Sequence, residues 1–191
     1  MRADKVNAKA PNQTETSTCA ACHAQGLGCC RLGAEGTARM FGLTRGEVEV
    51  IAQASGLEPE KFVVSDRASS EFLADLAAIH PLFLQTMPGG GRLRLAVAPD
   101  GACVFLGPRG CKLPAEVRPL YCRLYPFWFS QDGRLMVLIS QHCLAQKGAR
   151  SWREVLARLG ENQEHLRGLF TRLEALAAEH QSSRSEESRV L

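Results

Sequence analysis

The sequence predicts an α+β fold: small antiparallel β-hairpins with helices packed around a cysteine-rich site. Three observations predict it. Residues 92–97 alternate apolar and polar side chains, and turn-forming clusters at residues 99–101 and 131–133 each divide a pair of strand-like runs. Residues 44–53, 69–79 and 152–176 carry apolar side chains at helical spacing. Eight cysteines fall in two groups, one before and one among the hairpins.

Length and composition bound the class. A chain of 191 residues, 45% hydrophobic and 23% charged, can bury a core without covalent staples. A formal charge of +3 does not point to nucleic acid or to an anionic membrane. No run of about 18 apolar residues is present to span a bilayer. The first 18 residues are polar and lack the apolar run of a secretory signal, so the expected location is cytoplasmic. In a reducing compartment, clustered cysteines point to metal or catalysis rather than to disulfides.

The expected organisation has four parts. Residues 1–18 read as a mobile tail, residues 19–150 as a cysteine-cluster domain, residues 151–180 as an amphipathic helix packed on it, and residues 181–191 as a flexible tail. Residues 19–36, rich in cysteine and glycine, read as a loop with little regular structure. Thr44 and Glu47 make a capping box for a helix with Val48, Ile51 and Ala52 on its face, stopped at Gly56. Residues 58–64 read as a short helix started by Pro59. The next helix carries Phe72, Leu73, Leu76 and Ile79 and ends before Pro81. After the breaker at residues 87–91, the two hairpins are expected over residues 92–106 and 127–139, with a Pro-, Cys- and Arg-dense segment between them. Ser151 and Glu154 open the last helix, which Gly160 weakens and can divide.

The first cysteine group is Cys19, Cys22, Cys29 and Cys30. A Cys-x-x-Cys spacing lets two thiolates converge on one ion through a tight turn, and Gly26 and Gly28 let the loop fold back. A vicinal pair sits more easily where a cluster or two nearby ions offer two targets. The second group is Cys103, Cys111, Cys122 and Cys143. Four cysteines in each half fit two tetrahedral sites, or one polynuclear site assembled from both. Thiolate softness favours Fe–S, zinc or Cu(I). His23 and His142 each adjoin a cysteine and are the nearest substitutes for a thiolate. A buried structural thiol is the plain alternative for any one cysteine taken singly.

The run Cys103-Val-Phe-Leu, Cys111-Lys-Leu, Val117-Arg118-Pro119-Leu-Tyr-Cys122-Arg123-Leu-Tyr125-Pro126-Phe127, with the ending Cys29-Cys30-Arg31, resembles the YkgJ-type cysteine-cluster family. That family is described as a zinc- or iron-chelating domain and is often labelled an Fe–S oxidoreductase. The resemblance covers Cys19 to Cys143 and includes the stretch from Leu43 to Leu57. It implies that the eight cysteines bind metal, as an iron–sulfur cluster or zinc. It also implies that Arg118 and Arg123 lie at the site, where guanidinium groups neutralise thiolate charge or take a substrate carboxylate. One departure is visible: six residues separate Cys22 from Cys29, where the family spacing is tighter.

The functional expectation is a metal-binding protein whose iron–sulfur or other polynuclear thiolate centre has a redox or cofactor role. The alternative is a structural zinc domain that works as an interaction module. Its partners are the metal ion or cluster and an unidentified protein or small-molecule substrate, with no membrane and no nucleic acid.

Overall fold

Capping chemistry sets several helix boundaries. The computed structural model describes residues 18–26, 28–32 and 34–187, with the side chains of residues 34–35 and 180–187 excepted. Its helices are α1 (Thr18–Ala24), α2 (Ala34–Ala38), α3 (Arg45–Ser55), α4 (Ser70–Ile79), α5 (Leu120–Leu124), α6 (Trp152–Leu159) and α7 (Gln163–Glu187). Thr44 Oγ1 accepts from the Glu47 N–H at 3.2 Å, and Glu47 Oε2 accepts from the Thr44 N–H at 2.9 Å, which opens α3. Ser69 and Ser151 accept in the same way from Phe72 and Glu154 and open α4 and α6. Gly160, in the left-handed region at φ 68°, caps α6, so the stripe of residues 152–176 is two helices rather than one.

The strands form three two-stranded antiparallel sheets: β1 (Val63–Arg67) with β2 (Gly91–Leu95), β3 (Leu106–Gly107) with β4 (Gly110–Cys111), and β5 (Phe127–Phe129) with β6 (Leu135–Val137). The second expected hairpin is present as β5–β6, with Trp128 opposite Met136. The first is not. β2 pairs with β1, whose first two residues, Val63 and Val64, end the segment expected to be helical; within that segment Pro59–Lys61 forms a 3₁₀ turn. The turn at residues 98–102 closes tightly but supports a single bridge, Val97 to Cys103. The long-range pairing wins because it sets Val63 opposite Leu95 and Asp66 opposite Arg92. The Arg92 side chain is fully buried. It donates to Asp66 at 3.0 Å and to the carbonyls of Thr37, Ala38 and Met40, tying the α2–α3 connection to the sheet.

Two cores result. The larger is built by α4, the 3₁₀ turn Pro81–Thr86, α5, β5, α6 and α7 around Phe72, Phe83, Phe127, Trp128, Phe129 and Phe170. Trp128 meets Phe170 edge-on at 5.0 Å between centroids. The smaller holds Ile51, Phe62, Leu95, Phe105 and Leu113, with Cys103 and Cys111 packed against it. The C-terminal helices pack on the domain as expected, through Leu166, Leu169, Phe170 and Leu173. Helix α7 continues to Glu187, so it runs through residues 181–187 of the segment the sequence suggests as a tail; residues 188–191 lie outside the described residues. The expected mobile tail lies outside the described residues apart from Thr18, which begins α1. Among the described residues no helix is long and apolar enough to cross a membrane.

Candidate functional site

The first cysteine group does not sit in an irregular loop. Cys19 and Cys22 are one helical turn apart on α1, so the i, i+3 spacing rather than a tight turn puts both on one face. Ala20, Ala21 and Ala24 favour the helix, and Thr18 Oγ1 anchors it by donating to the Arg158 carbonyl at 2.6 Å. The chain then turns back so that Gly28, at φ 113°, passes against the Cys22 sulfur. Cys29 and Cys30 follow in the turn. The Cys30 carbonyl accepts from the Cys103 N–H at 2.8 Å, and the Leu32 N–H donates to the Gly101 carbonyl at 2.6 Å. A Cβ on Gly101 would stand 2.1 Å from the Leu32 carbonyl oxygen, so this docking requires glycine.

Cys103 and Cys111 sit on either side of the β3–β4 turn. The Phe105 and Leu113 N–H groups oppose the upward push of burial on Cys103 and Cys111. Cys122 lies in α5, and Cys143 in the turn after β6. The Cys22 thiol donates to the carbonyl of His142, the neighbour of Cys143, at 3.4 Å. All eight cysteines are free thiols. Six separate stretches of chain thus bring thiols into mutual electrostatic reach, and Cys30 acts on Cys19, Cys29, Cys103, Cys111 and Cys122.

The thiols shift one another. Burial pushes Cys103 up to about 11, and burial with the charges of Cys30, Cys103 and Cys111 pushes Cys122 well up. Cys19 rises through burial and the charges of Cys30, Cys143 and Cys22. The vicinal pair shares a hydrogen bond that raises Cys29 and draws Cys30 down to about 7, with Arg118 adding to the effect on Cys30. Cys29 and Cys122 present surface to solvent, yet burial raises both thiols.

Arg118 is placed among them. Its Nε donates to the Leu113 carbonyl at 3.0 Å, and its positive charge lowers the thiols of Cys19, Cys30 and Cys111. Arg123 faces a different set: Arg172 of α7, then Glu161, Glu116 and Arg118; burial and Arg172 pull its pKa down. His142 is exposed. His23 is half-buried, with its Nδ1 out of solvent and without a hydrogen-bond partner. As the side chains stand, no group of three or more His, Cys, Asp or Glu among the described residues is arranged to hold a metal ion.

Two residues at the site have roles that their sequence motifs did not give. Glu47 does more than cap α3: its Oε1 accepts from the Leu120 N–H at 2.9 Å, so one carboxylate starts α3 and the helix bearing Cys122. Tyr125 is pushed up by burial, an effect to which the charges of Cys29, Cys143 and Cys22 add and which Ser140 opposes, so its ring belongs to the surroundings of these thiols. Its position directly before Pro126 and three residues after Cys122 was the available signal.

No family model matches this chain, and no curated protein and no solved structure matches it. The reading of the site therefore stands on its own residues.

Proposed function

We propose that this protein is a thiolate-ligated metal protein, its cysteines holding iron–sulfur chemistry for a redox or cofactor role in a reducing compartment. One observation supports the reading: six separate stretches of chain carry free thiols that act on one another electrostatically, with the Arg118 charge lowering Cys19, Cys30 and Cys111. Buried like-charged thiolates without a cation are costly, so a fold that gathers them is matched to a cation that takes the charge. The donor set fits: thiolates are the ligands of Fe–S clusters, and hydrogen bonds to sulfur tune their potentials. The resemblance to the YkgJ-type family supports the same reading.

The residues act in distinct ways. Cys19, Cys22, Cys29, Cys30, Cys103, Cys111, Cys122 and Cys143 would be the ligands, each releasing its proton to solvent on binding. The Phe105 and Leu113 N–H groups and the Arg118 guanidinium would offset the thiolate charge. Bound iron–sulfur would supply one-electron chemistry or a Lewis-acidic iron. Arg123, turned toward Arg172, would meet an anionic substrate or partner at the edge of the site.

Iron, acid-labile sulfide and zinc should be measured on full-length protein purified without oxygen, together with its absorption spectrum. Brown protein with equal iron and sulfide is the expected result. Colourless protein with stoichiometric zinc would favour a structural zinc domain instead, a reading that the pinning of α1 to Arg158 also accommodates. Protein free of any metal would remove the proposal.

A further inference from the structure

Two of the cysteines meet across a register that the backbone fixes. The Cys103 N–H donates to the Cys30 carbonyl at 2.8 Å, and the Leu32 N–H donates to the Gly101 carbonyl at 2.6 Å. Between these bonds Arg31 and Ala102 pair as an antiparallel bridge. One step along the same register Cys30 stands opposite Cys103, and opposite residues of an antiparallel pair carry their side chains on one face. We infer that Cys30 and Cys103 form a reversible redox site, closing to a cross-strand disulfide by exchange with a small-molecule disulfide such as oxidised glutathione. The inference goes beyond the metal-binding reading and concerns the metal-free protein.

The register is held from several sides, which matters because a slip of one residue would turn one thiol to the other face. Gly101 lies so close to the Leu32 carbonyl that no side chain fits between them. Arg31 pairs with Asp100 at 2.7 Å, and the same Asp100 accepts from the Ala102 N–H at 3.1 Å. On its far side Cys103 bridges to Val97, and the Val104 N–H donates to the Ala96 carbonyl at 3.0 Å. Cys103 is therefore the middle of three short extended segments, and Cys30 lies on their edge.

Spacing favours this pair over its rivals. Opposite residues at a hydrogen-bonded position lie about 5.5 Å apart between Cα atoms, and a disulfide spans about 4.4–6.8 Å. Neighbours such as Cys29 and Cys30, about 3.8 Å apart, are too close to be bridged without distorting the backbone. Cys19 and Cys22 on one turn of α1 are the nearest competitors. Cys22, however, is only 6% exposed, and its thiol is engaged by the His142 carbonyl. Cys30 and Cys103 are both partly exposed, so a small oxidant can reach them.

The exchange has two steps. The Cys30 thiolate attacks one sulfur of the small disulfide and expels a thiolate, leaving a mixed disulfide. The Cys103 thiolate then attacks the Cys30 sulfur, closes the protein disulfide and expels the second thiolate. Two electrons pass to the small disulfide, and the two cysteine protons end on the two released thiols. The product clasps the Cys29–Cys30 turn covalently to Cys103, which packs on the smaller core. Excess reduced thiol reverses both steps.

The test uses full-length protein, stripped of metal, reduced, and then incubated with oxidised glutathione without oxygen. Trypsin should release residues 10–31 joined to residues 95–109, and tandem mass spectrometry should place the bond on Cys30 and Cys103. This reading needs no variant, so it survives any variant that fails to fold. Cys103→Ser should stop at a glutathione adduct on Cys30, whereas Cys29→Ser should keep the cross-link. A Cys19–Cys22 disulfide with Cys103 left as a thiol, a bond from Cys103 to any cysteine other than Cys30, or no disulfide at all would overturn the inference. Metal analysis of the untreated protein judges the metal-binding reading separately, so the two can fail independently.

Discussion

The two cores are built by different means. The larger joins six elements through a continuous set of aromatic contacts, with Trp128, Phe83 and Phe170 in mutual contact. The smaller closes on Ile51, Phe62, Leu95, Phe105 and Leu113, and its margin includes Cys103 and Cys111 beside aliphatic side chains such as Leu43, Val48 and Val117. It leans instead on polar fastenings: the buried Arg92, the doubly capping Glu47 and the Gly101–Leu32 contact. The larger core can hold itself together by burial alone. A core with so little apolar surface gains most from a metal, because ligation supplies the free energy that burial does not.

The sharpest test of that contrast is Phe170→Ala, which should cost about 3–5 kcal/mol in urea unfolding as a large buried ring is lost. Metal removal by a chelator should act on the other side. Hydrogen exchange should rise in residues 18–32 and 97–113 and stay slow in residues 164–177. Uniform loss of protection would erase the distinction between the cores.

Asp66→Asn comes next, at about 2 kcal/mol, because Arg92 would lose its only carboxylate and keep only carbonyl acceptors. Burial pushes the Asp66 carboxyl up, but hydrogen bonds from Arg94 and Arg92 outweigh it and hold the pKa below the ordinary value. Its stabilising effect should therefore be full above about pH 4 and fade as pH falls through the lower folded value. The gap between wild type and Asp66→Asn in denaturant midpoint should narrow in acid.

Gly101→Ala should cost about 2 kcal/mol and free the Cys29–Cys30 turn from Cys103, visible as faster exchange at the Cys103 N–H. Glu47→Ala is the smallest, at about 1–2 kcal/mol, since it uncaps α3 and leaves the Leu120 N–H without its acceptor.

Local signals in the sequence located α3, α4, the β5–β6 hairpin and the break at Gly160, because each boundary is set by residues within a few positions of it. The β1–β2 pairing was not legible. Its register is decided by Asp66 meeting Arg92 and by Val63 meeting Leu95 across nearly thirty residues of intervening chain. Helix α1 was hidden by its composition: cysteine and glycine around it read as loop, while its alanines and the distant Arg158 carbonyl fix it. At the candidate site, residue types and spacing singled out the cysteines and Arg118. The contacts between distant thiol-bearing segments were out of reach, because they rest on the Cys103–Cys30 backbone and Cys22–His142 hydrogen bonds. The aim of Arg123 depends likewise on α7, far away in the chain.

The hydrogen bond from Thr18 to Arg158 joins residues 140 positions apart. On a ribosome the N-terminal thiols emerge first, yet the surface that seats them is synthesised last. At about 5–20 residues per second that interval is roughly 7–28 s, during which Cys19, Cys22, Cys29 and Cys30 are a nascent chain's open thiols. Oxygen exposure during synthesis should therefore oxidise these thiols more readily than the same exposure applied after release.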